Sequence, residues 1–131
     1  MALTVADTDA LIDFLAGRGA AADVVSVRLA QGALATTAIS RFELLAGVRS
    51  ARQERAVRRL LGALRTLPLD GAGADRAARI RRDLQREGQG IGMADSLIAG
   101  IVMAHDGNLL TRNRQHFARI EGLTLAEVVQ K

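Results

Sequence analysis

The chain has no cysteine, tryptophan or tyrosine, and one proline, Pro68. Without cysteine there is no disulfide, no thiolate metal site and no thiol nucleophile. Three phenylalanines are the whole aromatic complement, which leaves little for the base-stacking platforms of single-strand binders. The only lysine is Lys131, at the C-terminus. No apolar run approaches the roughly 20 residues of a membrane span. The opening "MALTVADTDALIDFL" places acids where a secretory signal carries its basic region. These absences point to a cytoplasmic protein with no membrane association.

What remains is ordinary globular material. The 131 residues, 49% hydrophobic and 24% charged, suit one domain spanning 1–131. With one lysine among 18 basic residues, 17 are arginine, and the formal net charge is +4. Arginine forks suit phosphate contact, although a GC-rich coding sequence inflates arginine and alanine together.

Periodicity predicts alternating elements. "ALTVAD" reads as a buried strand ending at an acid, and "TDALIDFLAG" as a helix with Thr8 or Asp9 as its N-cap. "AADVVSVRLAQG" is a second helix closed by Gly32, and "ALATT" a second strand. "AISRFELLAGV" and "SARQERAVRRLLGAL" are helical, "TLPLD" a short strand, and "GADRAARIRRDLQREG" a charged helix. "GMADSLIAGIVMAH" is an apolar helix with one acid near its start. "GNLLTRN" is a strand entered through Asp106-Gly107, and "LTLAEV" an edge strand or tail. Strands alternating with helices predict a three-layer α/β/α fold with a mostly parallel central sheet.

Ligands of parallel sheets gather beyond the carboxyl ends of the strands. Asp7 ends the first strand, Thr111, Arg112 and Asn113 end a later one, Glu43 lies a turn into the third helix, and Asp95 opens the apolar helix. Each has a bland explanation: Asp7 as a cap, Asp95 as a complement to the helix macrodipole, Glu43 as a boundary residue paired with arginine. Asp9 and Asp13 read as capping and solvating their helix, and His105 and His116 as surface or packing residues. Three acids in apolar context nevertheless converge on one sheet end. Carboxylates so gathered repel unless a cation neutralises them, and hard oxygen donors select Mg²⁺ or Mn²⁺. Such ions activate water for phosphodiester hydrolysis. A two-component receiver domain or a haloacid-dehalogenase-type phosphatase also clusters acids, but both need a lysine within the domain, and the only lysine here is the C-terminal Lys131.

At these residues the chain resembles PIN-domain ribonucleases, more narrowly the VapC toxins of bacterial toxin–antitoxin pairs. The matching pieces are "VADTDALIDFL", "ISRFELLAGV", "MADSLIAGIVMAH" and "LLTRNRQHFARIEGL", in family order. The resemblance implies a PIN-like fold and a Mg²⁺/Mn²⁺-dependent endoribonuclease that hydrolyses RNA with a metal-activated water. It makes Asp7, Glu43 and Asp95 the acids of the metal site, with Asp7 and Asp95 as direct ligands. Thr8 matches the hydroxyl residue after the first acid, and Asn113 stands as an amide at the place of a fourth acid. Thr8, Thr111 and Arg112 fall on the substrate side, with Arg112 contacting a phosphate or pairing with an acid. The resemblance also implies a VapB-like antitoxin and homodimers, sometimes in larger toxin–antitoxin complexes. The other reading is a PIN-like module that binds RNA or a partner without cutting.

Overall fold

Four strands and their crossovers build the side of the molecule on which the acids sit, and a fifth strand completes the sheet. A computed structural model describes residues 2–128; Met1 and residues 129–131, the ends of the expected 1–131 unit, lie outside it. In chain order the elements are β1 (Thr4–Ala6), α1 (Thr8–Ala16), α2 (Ala20–Ala30), β2 (Leu34–Thr37), α3 (Ala38–Ala46) and α4 (Ala51–Gly62). Then come β3 (Arg65–Leu67), α5 (Gly71–Arg86), α6 (Met93–Ala104), β4 (Asn108–Leu110), α7 (Arg114–Phe117) and β5 (Thr124–Leu125). The sheet order is β3-β2-β1-β4-β5, and every pairing is parallel. The expected "mostly parallel" sheet is thus parallel throughout. Ala6 stands in register with both Thr36 and Leu110, so the three central strands end side by side.

Strand alternation explains the three layers. Neighbouring side chains on a strand point to opposite faces. Val5, Ala35, Leu67 and Leu109 join a core with Ile98, Ile101 and Val102 of α6, Ile80 and Leu84 of α5, and Phe117. Their neighbours Ala6, Leu34 and Leu110 join a second core with Leu11, Val25, Val57, Leu60 and Leu61 from α1, α2 and α4. Burial on both faces is why these strands read as continuous apolar runs.

Several boundaries differ from the sequence reading. The N-cap of α1 is Asp7, whose side chain accepts from the Ala10 amide, rather than Thr8 or Asp9. Its carboxylate reaches that amide because Asp7 itself is still extended, at φ −80° and ψ 179°. Strand β3 begins at Arg65 and stops before Pro68, which has no N–H for a ladder. Strand β4 stops at Leu110; Thr111–Asn113, which the sequence reading included in the strand, turn away and lead into the short helix α7. The tail is a true edge strand, with Asn108 opposite Thr124 and Leu109 opposite Leu125. Among the described residues no helix is long and apolar enough to cross a membrane.

Candidate active site

Asp7 is positioned by two elements at once. Its backbone amide donates to the Leu110 carbonyl at 3.0 Å, extending the β1–β4 pairing by one residue. Its Oδ1 accepts from the Ala10 amide at 3.0 Å. The residue is 5% exposed, and burial pushes its carboxyl pKa from 3.8 to about 6. Hydrogen bonds from the Thr111 hydroxyl and the Ala10 amide pull it back down, while the charges of Asp9 and Asp95 add to the rise. Thr111, itself buried, also accepts from the Asn113 amide through its Oγ1 at 3.0 Å, so one hydroxyl links the chain beyond β4 to the first acid.

Glu43 reaches the same sheet end from α3. Thr8 Oγ1 donates to Glu43 Oε1 at 2.6 Å and lies 3.0 Å from Ser40 Oγ. Threonine has one hydroxyl proton. The carboxylate at the shorter distance takes it, so Ser40 supplies the proton in the longer contact. Ser40 is completely buried, one turn before Glu43 on α3. The result is an ordered chain from Ser40 through Thr8 to the carboxylate, which leaves Oε2 of Glu43 free of Thr8.

Asp95 is in the first turn of α6, where helix amides favour a negative charge. Its side chain is 39% exposed, and its Oδ2 lies 3.0 Å from Nε2 of His116. The contact is one of proximity: among the described residues Nε2 has no hydrogen-bond partner.

Arg112 takes a different place from that of an acid-cluster partner. Its guanidinium donates to Asp13 Oδ1 at 3.1 Å and lies 3.5 Å from Asp9 Oδ1. Asp9 and Asp13 are i, i+4 on α1 and share one face. Asp13 is buried, 4% exposed, and so does not solvate its helix as its sequence suggests; Arg112 and, at 4.0 Å, Arg18 compensate its charge. A depression of about 310 Å³ opens beside this clamp, lined by Asp13, Thr111, Arg112 and Arg114 among others. Asn113 is exposed and precedes α7 without a side-chain cap.

The sequence-derived set therefore arrives as two parts. Asp7 is bonded by Thr111 and feels the charge of Asp95, and Thr8, the residue after Asp7, holds Glu43. Arg112 is drawn off to α1. Among the described residues no group of three His, Cys, Asp or Glu side chains stands close enough to hold a metal ion; Glu43 is held by Thr8, and Asp95 lies beside His116. The donor chemistry still fits a hard divalent cation. Asp7 is a buried carboxyl that two neighbouring acids make costlier to ionise, and a cation is what relieves that cost. Sequence reasoning missed Ser40, His116 and Arg119. The i, i+4 spacing of Asp9 and Asp13 was a readable sign of a shared cation; nothing local marked the other three.

Comparison with known proteins gives the following likenesses. The profile of the PIN domain family matches residues 4–123. Ribonuclease VapC10 of Mycobacterium tuberculosis is 36% identical over 121 residues, covering 92% of this chain and 90% of that protein. The tRNA(fMet)-specific endonuclease VapC of Shigella flexneri is 29% identical over 99 residues, 72% of this chain and 75% of that one. Among solved structures, VapBC2 from Rickettsia felis, bound to a DNA fragment from its promoter, superposes with a TM-score of 0.82 at 18% identity. That match covers 95% of this chain and 97% of that one.

Proposed function

The chain belongs to the PIN domain family and, within it, to the VapC ribonucleases, and from that premise we propose that it is the toxin of a VapBC-type pair. In this reading a single 1–131 domain hydrolyses RNA phosphodiester bonds in the cytoplasm, using Mg²⁺ or Mn²⁺. The observation that carries the metal is Asp7: a buried carboxyl, its pKa raised to about 6, with the charge of Asp95 acting on it. A buried carboxylate without a counter-charge is costly to ionise, and a divalent cation would supply that counter-charge to Asp7 and Asp95.

Asp7 and Asp95 would hold the ion, with Glu43 joining them. Bound there, such an ion supplies positive charge against the phosphoryl oxygens and acidifies the attacking water. The protein's own groups do the rest. Thr111 fixes the Asp7 carboxylate. The Ser40–Thr8 chain holds one oxygen of Glu43, leaving the other to orient water and accept its proton. Arg112, aimed by Asp9 and Asp13 and 55% exposed in its side chain, is free on its outer edge to donate to a phosphate of the RNA. Asn113 brings an amide where a fourth carboxylate would add charge, which keeps the site less acidic toward a polyanion.

The arginines of α4 and α5, including Arg52, Arg55, Arg58, Arg76, Arg79 and Arg82, are exposed and would steer RNA by its phosphates. RNA binding is then expected to weaken steeply with salt, with a log–log slope of about −0.7 for each phosphate neutralised on a single strand. A filter-binding series in rising salt measures it, and a flat response removes these helices from the substrate path. Solved neighbours are VapBC complexes, which supports a VapB-like antitoxin as the partner; a homodimeric toxin belongs to the same proposal. Co-expression with a VapB-like protein, if one is encoded beside this chain, followed by purification, tests the pair. Cleavage that appears only after the partner is stripped away supports it, and full activity in the bound complex counts against it.

A further inference from the structure

Arg119 makes four polar contacts around the base of Asp95. Its Nε donates to the His116 carbonyl at 3.0 Å and its Nη1 to the Gln89 carbonyl at 3.0 Å. Its Nη2 reaches the Gly90 carbonyl at 3.4 Å and Nδ1 of His116 at 2.9 Å. One guanidinium thus joins the segment after β4 to the loop that launches α6, the helix whose first turn carries Asp95. A planar fork with donors on both edges performs this; a lysine cannot.

The contact to Nδ1 fixes more than position. A guanidinium carries donors only, so Nδ1 of His116 must accept. The ring proton then sits on Nε2, the atom 3.0 Å from Asp95 Oδ2. The ring is held edge-on to Phe117, with centroids 5.4 Å apart and planes at 86°. Nε2 is buried and, among the described residues, without a hydrogen-bond partner. The terminal torsion of an aspartate is soft, so a turn of the carboxylate aligns it on this N–H.

We propose that Arg119 and His116 form a positioning relay for Asp95: Arg119 sets the histidine tautomer, and the Nε2–H of His116 fixes the carboxylate that faces the cation. The relay rests on the role given to Asp95 above. Carboxylate ligands held by such outer partners lose about 10–100-fold in metal affinity when the partner is removed.

The chain carries its own control. His105 and His116 are its only histidines, and Nδ1 of His105 lies 2.9 Å from the Ile101 carbonyl. A carbonyl only accepts, so His105 holds its proton on Nδ1 and the two rings have opposite tautomers. Long-range proton–nitrogen spectra of the ¹⁵N-labelled full chain read both at once. The expected result is an Nδ1–H ring and an Nε2–H ring, with Arg119→Gln mixing the tautomers of the second alone. Mn²⁺ titration followed by electron paramagnetic resonance gives the second readout. His116→Ala is expected to weaken Mn²⁺ binding about tenfold or more, while His116→Gln, which keeps an N–H near the Nε2 position, restores most of it. A proton on Nδ1 of His116 overturns the relay. So does His116→Ala binding Mn²⁺ as tightly as the unaltered chain while Asp95→Asn loses it. An unaltered chain that binds no Mn²⁺ overturns the metal reading instead, and the ring spectrum alone then judges the relay.

Discussion

Asp7→Asn is expected to reduce RNA cleavage at least about 100-fold, beyond the loss typical of an outer-shell partner, and at the same time to stabilise the fold at neutral pH. The two effects have one cause. Asp7 is 5% exposed, and burial raises its pKa from 3.8 to about 6. A folded-state pKa above the unfolded value means that the folded chain binds the extra proton. The stability from that proton is fully present below about pH 4 and is lost as pH rises through about 6. A difference of about two pKa units corresponds to roughly 3 kcal/mol. Asparagine keeps an oxygen for the Ala10 amide and is a good N-cap, so the variant loses the charge and retains the cap. Urea unfolding in chelator checks the sign: Asp7→Asn gains over the unaltered chain above about pH 7, and the gain vanishes below about pH 4. Adding Mn²⁺ is expected to stabilise the unaltered chain and narrow the difference, since a ligand that binds only the folded state stabilises it. A variant less stable than the parent at neutral pH would show that Asp7 is held ionised by partners sufficient to offset its burial.

The largest expected effect on folding lies away from the acids, at Gly100 on α6. A Cβ built there comes 2.5 Å from the Gly73 carbonyl oxygen, 2.8 Å from the Ala77 amide nitrogen and 2.8 Å from its Cβ. Two of these atoms belong to the backbone of α5, so no rotamer change relieves the clash and one helix must move. Alanine normally gains about 1 kcal/mol over glycine inside a helix. Here overpacking, at about 1–3 kcal/mol or more, outweighs that gain, and Gly100→Val is expected to cost more than Gly100→Ala. Because α6 also carries Asp95, the displacement reaches the site. Gly62→Ala is the control: nothing lies within 4 Å of a Cβ there, and the substitution is expected to leave stability unchanged or raise it. Thermal unfolding of the three variants decides the matter. A Gly100→Ala variant as stable as Gly62→Ala would mean that the α5–α6 contact is looser than these distances.

The fold was legible because its signals are local and repeated. Apolar runs of strand length alternate with helical periods, although the sequence reading does not pick out the side-chain N-caps Thr37, Ser50 and Asp70. The end of β1 placed Asp7, and the end of β4 placed Thr111, since parallel strands in register finish together. Short irregular segments were less legible. Helix α7 has four residues, too few for any period to show, and β3 borders Pro68, which shortened it. The finer chemistry of the site was hidden for a different reason. His116 and Arg119 act through partners at Gln89, Gly90 and Asp95 that are distant in sequence, and no spacing rule connects them. Asp13 looked like a solvated helix acid because its burial depends on Arg112, 99 positions away. The role of Gly100 lies in the helix packed against it, which no local pattern in the sequence marks.

The central claim is that Asp7 and Asp95, with Glu43, hold a divalent cation that hydrolyses RNA. The most direct measurement incubates the purified, partner-free chain with RNA in Mn²⁺, in Mg²⁺ and in chelator, alongside Asp95→Asn, and determines the chemistry of the new RNA ends. Attack by water leaves a phosphate monoester on one fragment and a hydroxyl on the other. Cleavage is expected only with metal, with those ends, and with Asp95→Asn inactive. Cleavage that persists in chelator, or that leaves 2′,3′-cyclic phosphates from attack by the ribose hydroxyl, would contradict it.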